Sequence, residues 1–162
     1  MKVEFEVVDK IDLQDQHRQL FANMLKLQGK VRVDNLLSKA DRCKSICIAS
    51  IDGKPVAIGA IKTKTSTDFT DTKADLPQLE KEFNWELGYL YTDPDFQGQK
   101  IAQNIVRILI HHFGNDNLMA STEISANPGM VKILESNGFK LFGKPWKSSI
   151  HEHFLGLFLK FK

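Results

Sequence analysis

Leu90-Tyr91-Thr92-Asp93-Pro94-Asp95-Phe96-Gln97-Gly98-Gln99-Lys100-Ile101-Ala102 is the stretch on which the reading of this chain turns. The run Trp85–Thr92 is aromatic and apolar enough for a buried strand, and Asp93-Pro94 ends it because proline cannot donate to a ladder. From Ile101 to Phe113, apolar residues Ile101, Ile105, Ile108, Leu109 and Phe113 recur at helical spacing, and Val106 and Ile110 widen the stripe. A strand that stops, a short polar turn and a long helix leave the first N–H groups of the helix unpaired and pointing out of its end. With the positive end of the helix dipole they form a site for phosphate or pyrophosphate. Gly98 lets the backbone approach an anion closely, and Gln97 adds a side-chain donor. A plain strand-to-helix connection is the other reading of the same spacing. Neither the Walker pattern nor the dinucleotide G-x-G-x-x-G is present.

Outward from this stretch, helices and strands alternate, with antiparallel hairpins near both ends. That places the chain in the α/β or α+β class with a mixed sheet. On the N-terminal side, Val3–Val7 alternates as a first strand. Asp12 is expected to cap a helix running to about Leu27, with Leu13, Leu20, Phe21, Met24 and Leu27 on one face. A shorter helix is expected over Asp34–Ala40. Ser45–Ile51 and Pro55–Lys62 flank the turn signal Asp52-Gly53-Lys54. The polar segment Thr63–Asp75 reads as a long loop, with a short helix over Asp75–Phe83. On the C-terminal side, Leu118–Ile124 reads as a strand, Pro128–Asn137 as a helix, and Phe139–Phe142 and His153–Phe161 as strands.

The 162 residues, 42% of them hydrophobic and 26% charged, suit one soluble globular domain spanning 1–162. A net charge of +2 gives no reason to expect a nucleic-acid partner. The opening residues MKVEFEVVDK alternate charged and apolar side chains, unlike a signal peptide, and no stretch is long enough to cross a bilayer. A cytoplasmic location without membrane attachment is the expectation. Cys43 and Cys47 read as one buried cysteine and one partly exposed thiol.

Gln97–Ala102 resembles the R/Q-x-x-G-x-G/A signature of GNAT acyltransferases, with Gln97 and Ala102 at its first and last positions and Lys100 where that family has its middle glycine. The resemblance extends outward. Leu90-Tyr91-Thr92-Asp93-Pro94 follows the family's L-x-V-x-P strand end with Thr for Val. Asn127, Pro128, Met130, Gly138 and Phe139 reproduce much of N-x-x-A/M-x-x-x-Y/F-x-x-x-G-F. Together with the order of elements these cover about Ser45–Phe161. The resemblance implies a mixed sheet of about seven strands, splayed between the fourth and fifth, flanked by about four helices. It also implies an acetyl-CoA-dependent N-acetyltransferase.

The resemblance further implies site residues. Backbone amides of Gln97, Gly98, Gln99, Lys100, Ile101 and Ala102 would hold the coenzyme A pyrophosphate, with Lys100 either narrowing the loop or reaching a phosphate. Backbone groups of Leu90, Tyr91 and Thr92 would bond the pantetheine amides. Asn127 would contact the pantetheine arm, although capping the helix that starts at Pro128 explains it equally. Acyl transfer to an ammonium group requires a base. Glu86, six residues before Thr92 and on one face with Gly88, Leu90 and Thr92 by strand period, is the candidate, and an exposed strand-start glutamate is the alternative. A bulge at Gly88 would re-aim that order. Glu123 is the reserve base. Leu134 stands where the family carries the tyrosine that protonates the leaving thiolate, with Tyr89 and Tyr91 as substitutes.

A non-catalytic acyl-CoA-binding module is the reading from another class. The acceptor is a small-molecule or peptide amine that the sequence does not identify. His111-His112 is read as packing or solvated, and His151-x-His153 as a loop pair rather than a metal site. Phe158 and Phe161 are read as core packing, with a homodimer interface as the alternative.

Overall fold

The computed structural model describes residues 2–162. Seven strands form one mixed sheet in the order β1-β2-β3-β4-β5-β7-β6. They are β1 Val3–Asp9, β2 Cys43–Ile51, β3 Lys54–Thr63, β4 Trp85–Thr92, β5 Leu118–Glu123, β6 Lys140–Lys147 and β7 Phe154–Lys160. Three α-helices accompany them: α1 Asp15–Gln28, α2 Ile101–Phe113 and α3 Pro128–Ser136. β4 and β5 run parallel, with Trp85 opposite Leu118 and Glu86 opposite Met119. Contacts divide the chain into two compact units, Met1–Lys62 with Gly88–Gly114 and Thr63–Leu87 with Asn115–Lys162. β4 begins in the second and ends in the first.

In the first unit, β1 pairs antiparallel with β2 from Val3↔Ile51 to Asp9↔Ser45. The β2–β3 hairpin closes on Asp52 and Gly53, both left-handed with φ of 51° and 77°. Two successive positive φ values match the twist of the flanking strands, so Lys54 opens β3 instead of lengthening the turn. α1 lays Phe21, Met24 and Leu25 against Ile46, Ile48, Ile58, Ala60 and Tyr89. Gly59 is one residue out of phase and faces α2: a Cβ there would lie 2.6 Å from Ile105 Cγ2 and 2.7 Å from Leu90 Cδ2. Because strand side chains alternate, α1 and α2 cover opposite faces of this part of the sheet.

Three expectations for this region are corrected. α1 starts after Gln14, whose carbonyl accepts from the His17 N–H at 3.0 Å while His17 Nδ1 accepts from the Gln14 N–H at 3.0 Å; Asp12 lies in a separate 3-10 turn, Lys10–Asp12. Leu27 is exposed and Leu25 takes its place in the core, since six residues beyond Phe21 falls on the far side of a 3.6-residue turn. The short helix expected over Asp34–Ala40 is a 3-10 segment at Leu36–Arg42, entered through left-handed Asn35, so the α-helices number three among the described residues.

In the second unit, β5 pairs antiparallel with β7 from Leu118↔Lys160 to Glu123↔Leu155. The core gathers Phe69, Ala74, Phe83, Met119, Trp146, Leu157 and Leu159. The polar segment after β3 carries 3-10 turns at Ser66–Phe69 and Pro77–Glu82, tied by a Lys64–Glu80 ion pair at 3.0 Å. β6 extends past Phe142 to Lys147 through an irregularity between Phe142 and Trp146. Phe158 is buried within the chain, and Phe161 sits edge-on to Phe83 and Phe142, with centroids 5.3 and 5.6 Å apart. Phe158 is therefore core and not interface. Cys43 and Cys47, both in the first unit, are both buried, which corrects the expectation of one exposed thiol, and burial pushes each thiol up to about 12.

Candidate functional site

The strand end, turn and helix start form one continuous piece. The Asp93 N–H donates to the Val56 carbonyl at 2.8 Å, pinning the end of β4 to β3. Asp93 Oδ1 then accepts from the Asp95 N–H at 2.9 Å, and Pro94–Phe96 makes a 3-10 turn. Gln97 turns its side chain back, Nε2 donating to the Thr92 carbonyl at 3.3 Å. One of its two amide hydrogens thus braces the turn. Gly98 and Lys100 both take the left-handed conformation, with φ of 79° and 62°. Lys100 holds the backbone shape that a glycine adopts without strain.

Lys100 is the N-cap of α2, yet its side chain makes no capping hydrogen bond. The Asn104 N–H is the first to close on the helix, donating to the Lys100 carbonyl at 3.0 Å. The amides of Ile101, Ala102 and Gln103 thus lie in the turn that no helical carbonyl satisfies. No acidic side chain stands in this first turn, so the positive helix end is left uncompensated. The donor set suits an anionic group approached through backbone amides.

β4 is not regular. Tyr89 lies in the middle of the strand with φ of 56°, so the left-handed residue is a tyrosine, one position after the Gly88 at which a bulge is anticipated. Packing holds it there. Its ring meets Phe21 edge-on at 5.6 Å, Arg42 Nη1 donates to its hydroxyl at 3.4 Å, and Lys62 Nζ lies 5.1 Å from its centroid. Tyr89 and Tyr91 pack toward the α1 side and Leu90 toward α2. The left-handed residue interrupts the two-residue period, so simple alternation no longer puts Glu86 on one face with Leu90 and Thr92. The Tyr91 hydroxyl is raised above its usual value, by burial and then by Asp93.

Glu86 is buried and not exposed. Its Oε1 accepts from the Thr65 N–H at 2.9 Å and from the Thr65 hydroxyl at 2.7 Å. This engagement joins β4 to the segment after β3, and the sequence gives no hint of Thr65. Glu123, at the end of β5, is also buried, and His151 Nε2 lies 3.4 Å from its Oε1. The His153 N–H donates to His151 Nδ1 at 3.1 Å. In the neutral ring the proton therefore sits on Nε2, toward Glu123. The His151-x-His153 pair thus serves the β6–β7 connection and Glu123.

Asn127 caps α3: its Oδ1 accepts from the Met130 N–H at 3.3 Å, and Nδ2 approaches Thr122 Oγ1 at 3.5 Å. Leu134 is fully buried in α3. His112 pairs with Asp9 at 2.8 Å.

A family model described as the acetyltransferase (GNAT) family matches residues 12–139. The chain belongs to the GNAT acetyltransferase family. Among solved structures, it is similar to the NatC complex bound to Gag peptide and CoA, with a TM-score of 0.73 and 14% identity, covering 100% of this chain and 99% of that one. It is similar to yncA of Salmonella typhimurium, solved with acetyl-CoA, with a TM-score of 0.63 and 15% identity over 97% and 92% of the two chains. It is also similar to the IAA acetyltransferase of Bacillus cereus, with a TM-score of 0.63 and 11% identity over 98% and 99%. At such identities the likeness is one of fold. No curated protein matches the sequence.

Proposed function

We propose that this protein transfers an acetyl group from acetyl-CoA to a primary amine of an acceptor yet to be identified, by direct attack in a ternary complex. The observation that carries the reading is the turn before α2: left-handed Gly98 and Lys100 open a helix whose first turn holds no acid, in a chain of the GNAT family. The amides of Gly98, Gln99, Lys100, Ile101 and Ala102 receive the pyrophosphate, and Gln97, one amide hydrogen of which braces the turn, offers it the other. Main-chain groups of Leu90, Tyr91 and Thr92 bond the pantetheine, and Asn127 contacts it besides capping α3. The amine attacks the thioester carbonyl, a C–N bond forms, the C–S bond breaks and thiolate leaves. The amine is nucleophilic only after losing a proton. Glu86 accepts it, with Glu123 next in line.

A single domain at 1–162, acting in the cytoplasm on a small-molecule or peptide amine, completes the reading. The likeness to a peptide-bound NatC complex supports a peptide among the acceptors. The test is calorimetry and melting with acetyl-CoA, followed by thiol release with a panel of amines. Ligand at a hundredfold over its Kd stabilises by about 2.7 kcal/mol, a rise of roughly 5–10 °C in Tm. No heat and no shift at millimolar acetyl-CoA overturns the reading.

A non-catalytic acyl-CoA-binding module is the second reading. It is favoured by Leu134, fully buried where the family's tyrosine stands, and by the two Thr65 donors already held on Glu86. Binding without thiol release from any amine would establish it.

A further inference from the structure

Residues 64–84 join β3 to β4, and a connection this long in a compact fold usually carries a function. Between its two 3-10 turns, Ser66–Phe69 and Pro77–Glu82, lies an open cavity of about 320 Å³. That is the lower end of the range for small-molecule sites. Backbone bonds within the connection fix the walls. The Ala74 N–H donates to the Asp68 carbonyl at 3.0 Å, that of Leu76 to Phe69 at 2.9 Å and that of Asp75 to Thr70 at 2.8 Å. Phe69 and Pro77 contribute rings to the lining, and Thr67 and Thr70 short side chains. Glu80 and Lys81 add opposite charges, and Lys64 already answers Glu80 from 3.0 Å. A lining whose charges cancel, with two rings in its walls, suits a compact apolar body.

We infer that this cavity seats the body of the acyl acceptor, a compact apolar group bearing a primary amine; this rests on the acyltransferase reading above. Chain position and sheet register both tie the cavity to the candidate base. Ser66 in the wall directly follows Thr65, whose N–H and hydroxyl hold Glu86 Oε1. Glu86 lies opposite Met119 of β5, and neighbours across a ladder point to the same face. Met119 shares its core cluster with Phe69 and Phe83. The connection that walls the cavity therefore covers the face onto which Glu86 projects. An amine whose body fills the cavity carries its nitrogen along that face, and Glu86 takes the proton that the nitrogen must lose before attack. The base, its anchor and the acceptor's seat thus belong to one stretch of chain.

The test compares 2-phenylethylamine and hexylamine with ethylamine, whose body is too small to fill the cavity. Thr67→Trp and Thr70→Phe each set a large ring into the wall, and melting shows which of them folds. Thiol release gives KM for each amine. Calorimetry gives amine affinity for the CoA-saturated protein, so the effect is read even where turnover is absent. A single methylene that an apolar pocket accepts or refuses is worth about 10–200-fold. The parent is therefore expected to favour the two larger amines by about tenfold or more in kcat/KM or Kd. Either folded variant is expected to erase most of that preference, while Kd for coenzyme A stays within about twofold. A parent that treats the three amines alike, or binds none of them, overturns the inference whatever the variants do. A preference that survives in the folded variants overturns it too. A matching loss for coenzyme A puts the coenzyme in the cavity, and lost amine binding with unchanged turnover makes the cavity a site apart from catalysis; each overturns it. Failure to bind coenzyme A at all takes down the acyltransferase reading first, and this inference with it.

Discussion

Lys100 offers the most direct test of the turn. A non-glycine residue in the left-handed region costs about 1–2 kcal/mol, and Lys100 sits there with φ of 62° and ψ of 19°. Replacing it by glycine removes that strain, and also a cation from the positive end of α2. Against this, glycine adds unfolded-state freedom worth about 0.5–1 kcal/mol. The balance is a gain of about 1 kcal/mol, or roughly 2–4 °C in Tm for a chain of this size. Lys100→Ala removes the charge but keeps the strained Cβ, so its Tm is expected to stay within about 1 °C of the parent. Differential scanning calorimetry of the three proteins reads this difference. The same proteins titrated with coenzyme A at low and high salt separate the two roles of the side chain. If the ammonium group contacts a phosphate, Lys100→Ala weakens binding and flattens its salt dependence. If Lys100 merely occupies the place of a glycine, Lys100→Gly tightens binding. Equal melting temperatures for the glycine and alanine variants would refute the strain argument, and unchanged affinity in both would refute any part for Lys100 in binding.

Other expectations follow from packing and chemistry. Gly59→Ala drives a Cβ into Ile105 and Leu90 and is expected to cost about 1–3 kcal/mol, measured as a loss of about 3–10 °C in Tm. Glu86→Gln should lower turnover about 10²–10⁴-fold with coenzyme A affinity intact; full activity with an unchanged pH profile would move the base to Glu123. Leu134→Tyr inserts a phenol at a fully buried position, so a loss of about 1–3 kcal/mol in denaturant unfolding is expected, and turnover rises only if the hydroxyl reaches the sulfur. Both thiols, raised to about 12 by burial, hold essentially no thiolate in the folded protein at pH 8. A disulfide reagent should therefore label Cys43 and Cys47 only as fast as the chain opens, and rapid labelling of either would contradict their burial.

What is legible in the sequence is local chemistry. Asp52-Gly53 dictates a tight hairpin, Asp93-Pro94 ends a strand, and the stripe from Ile101 to Phe113 defines α2, each as found. Misreadings arise where partners distant in sequence decide. His17 completes the start of α1 in the place where a glutamate or glutamine would announce it. Glu86 reads equally well as a solvent-facing residue because Thr65, twenty-one residues earlier, cannot be predicted to reach it. A bulge is expected at Gly88 because glycine tolerates positive φ, yet Phe21, Arg42 and Lys62 hold Tyr89 in that conformation instead. The cavity between β3 and β4 gives no signal at all, since its walls meet only once the two 3-10 turns are in place.

The distribution of backbone strain bears on whether the site is intact. Among the described residues, five non-glycine residues have positive φ: Asn35, Asp52, Asp75, Tyr89 and Lys100. Asparagine and aspartate adopt this region readily, so Tyr89 and Lys100 carry the real penalty, and both fall within fifteen residues of one another in the segment proposed above to bind the coenzyme. Strained residues of this kind cost about 1–3 kcal/mol each and persist where the surroundings over-determine them. For Tyr89 the surroundings are visible in three side chains. Lys100 is exposed and makes no capping hydrogen bond, so nothing its own side chain does holds it left-handed. What its conformation achieves is the placement of the turn between Gly98 and Ile101, with the first amides of α2 open at its end. A simple connection from strand to helix has no need of that strain; a cradle for a pyrophosphate does. This asymmetry favours coenzyme binding as the purpose of the turn, under the catalytic reading and the non-catalytic one alike, and leaves Glu86 as the residue that separates them.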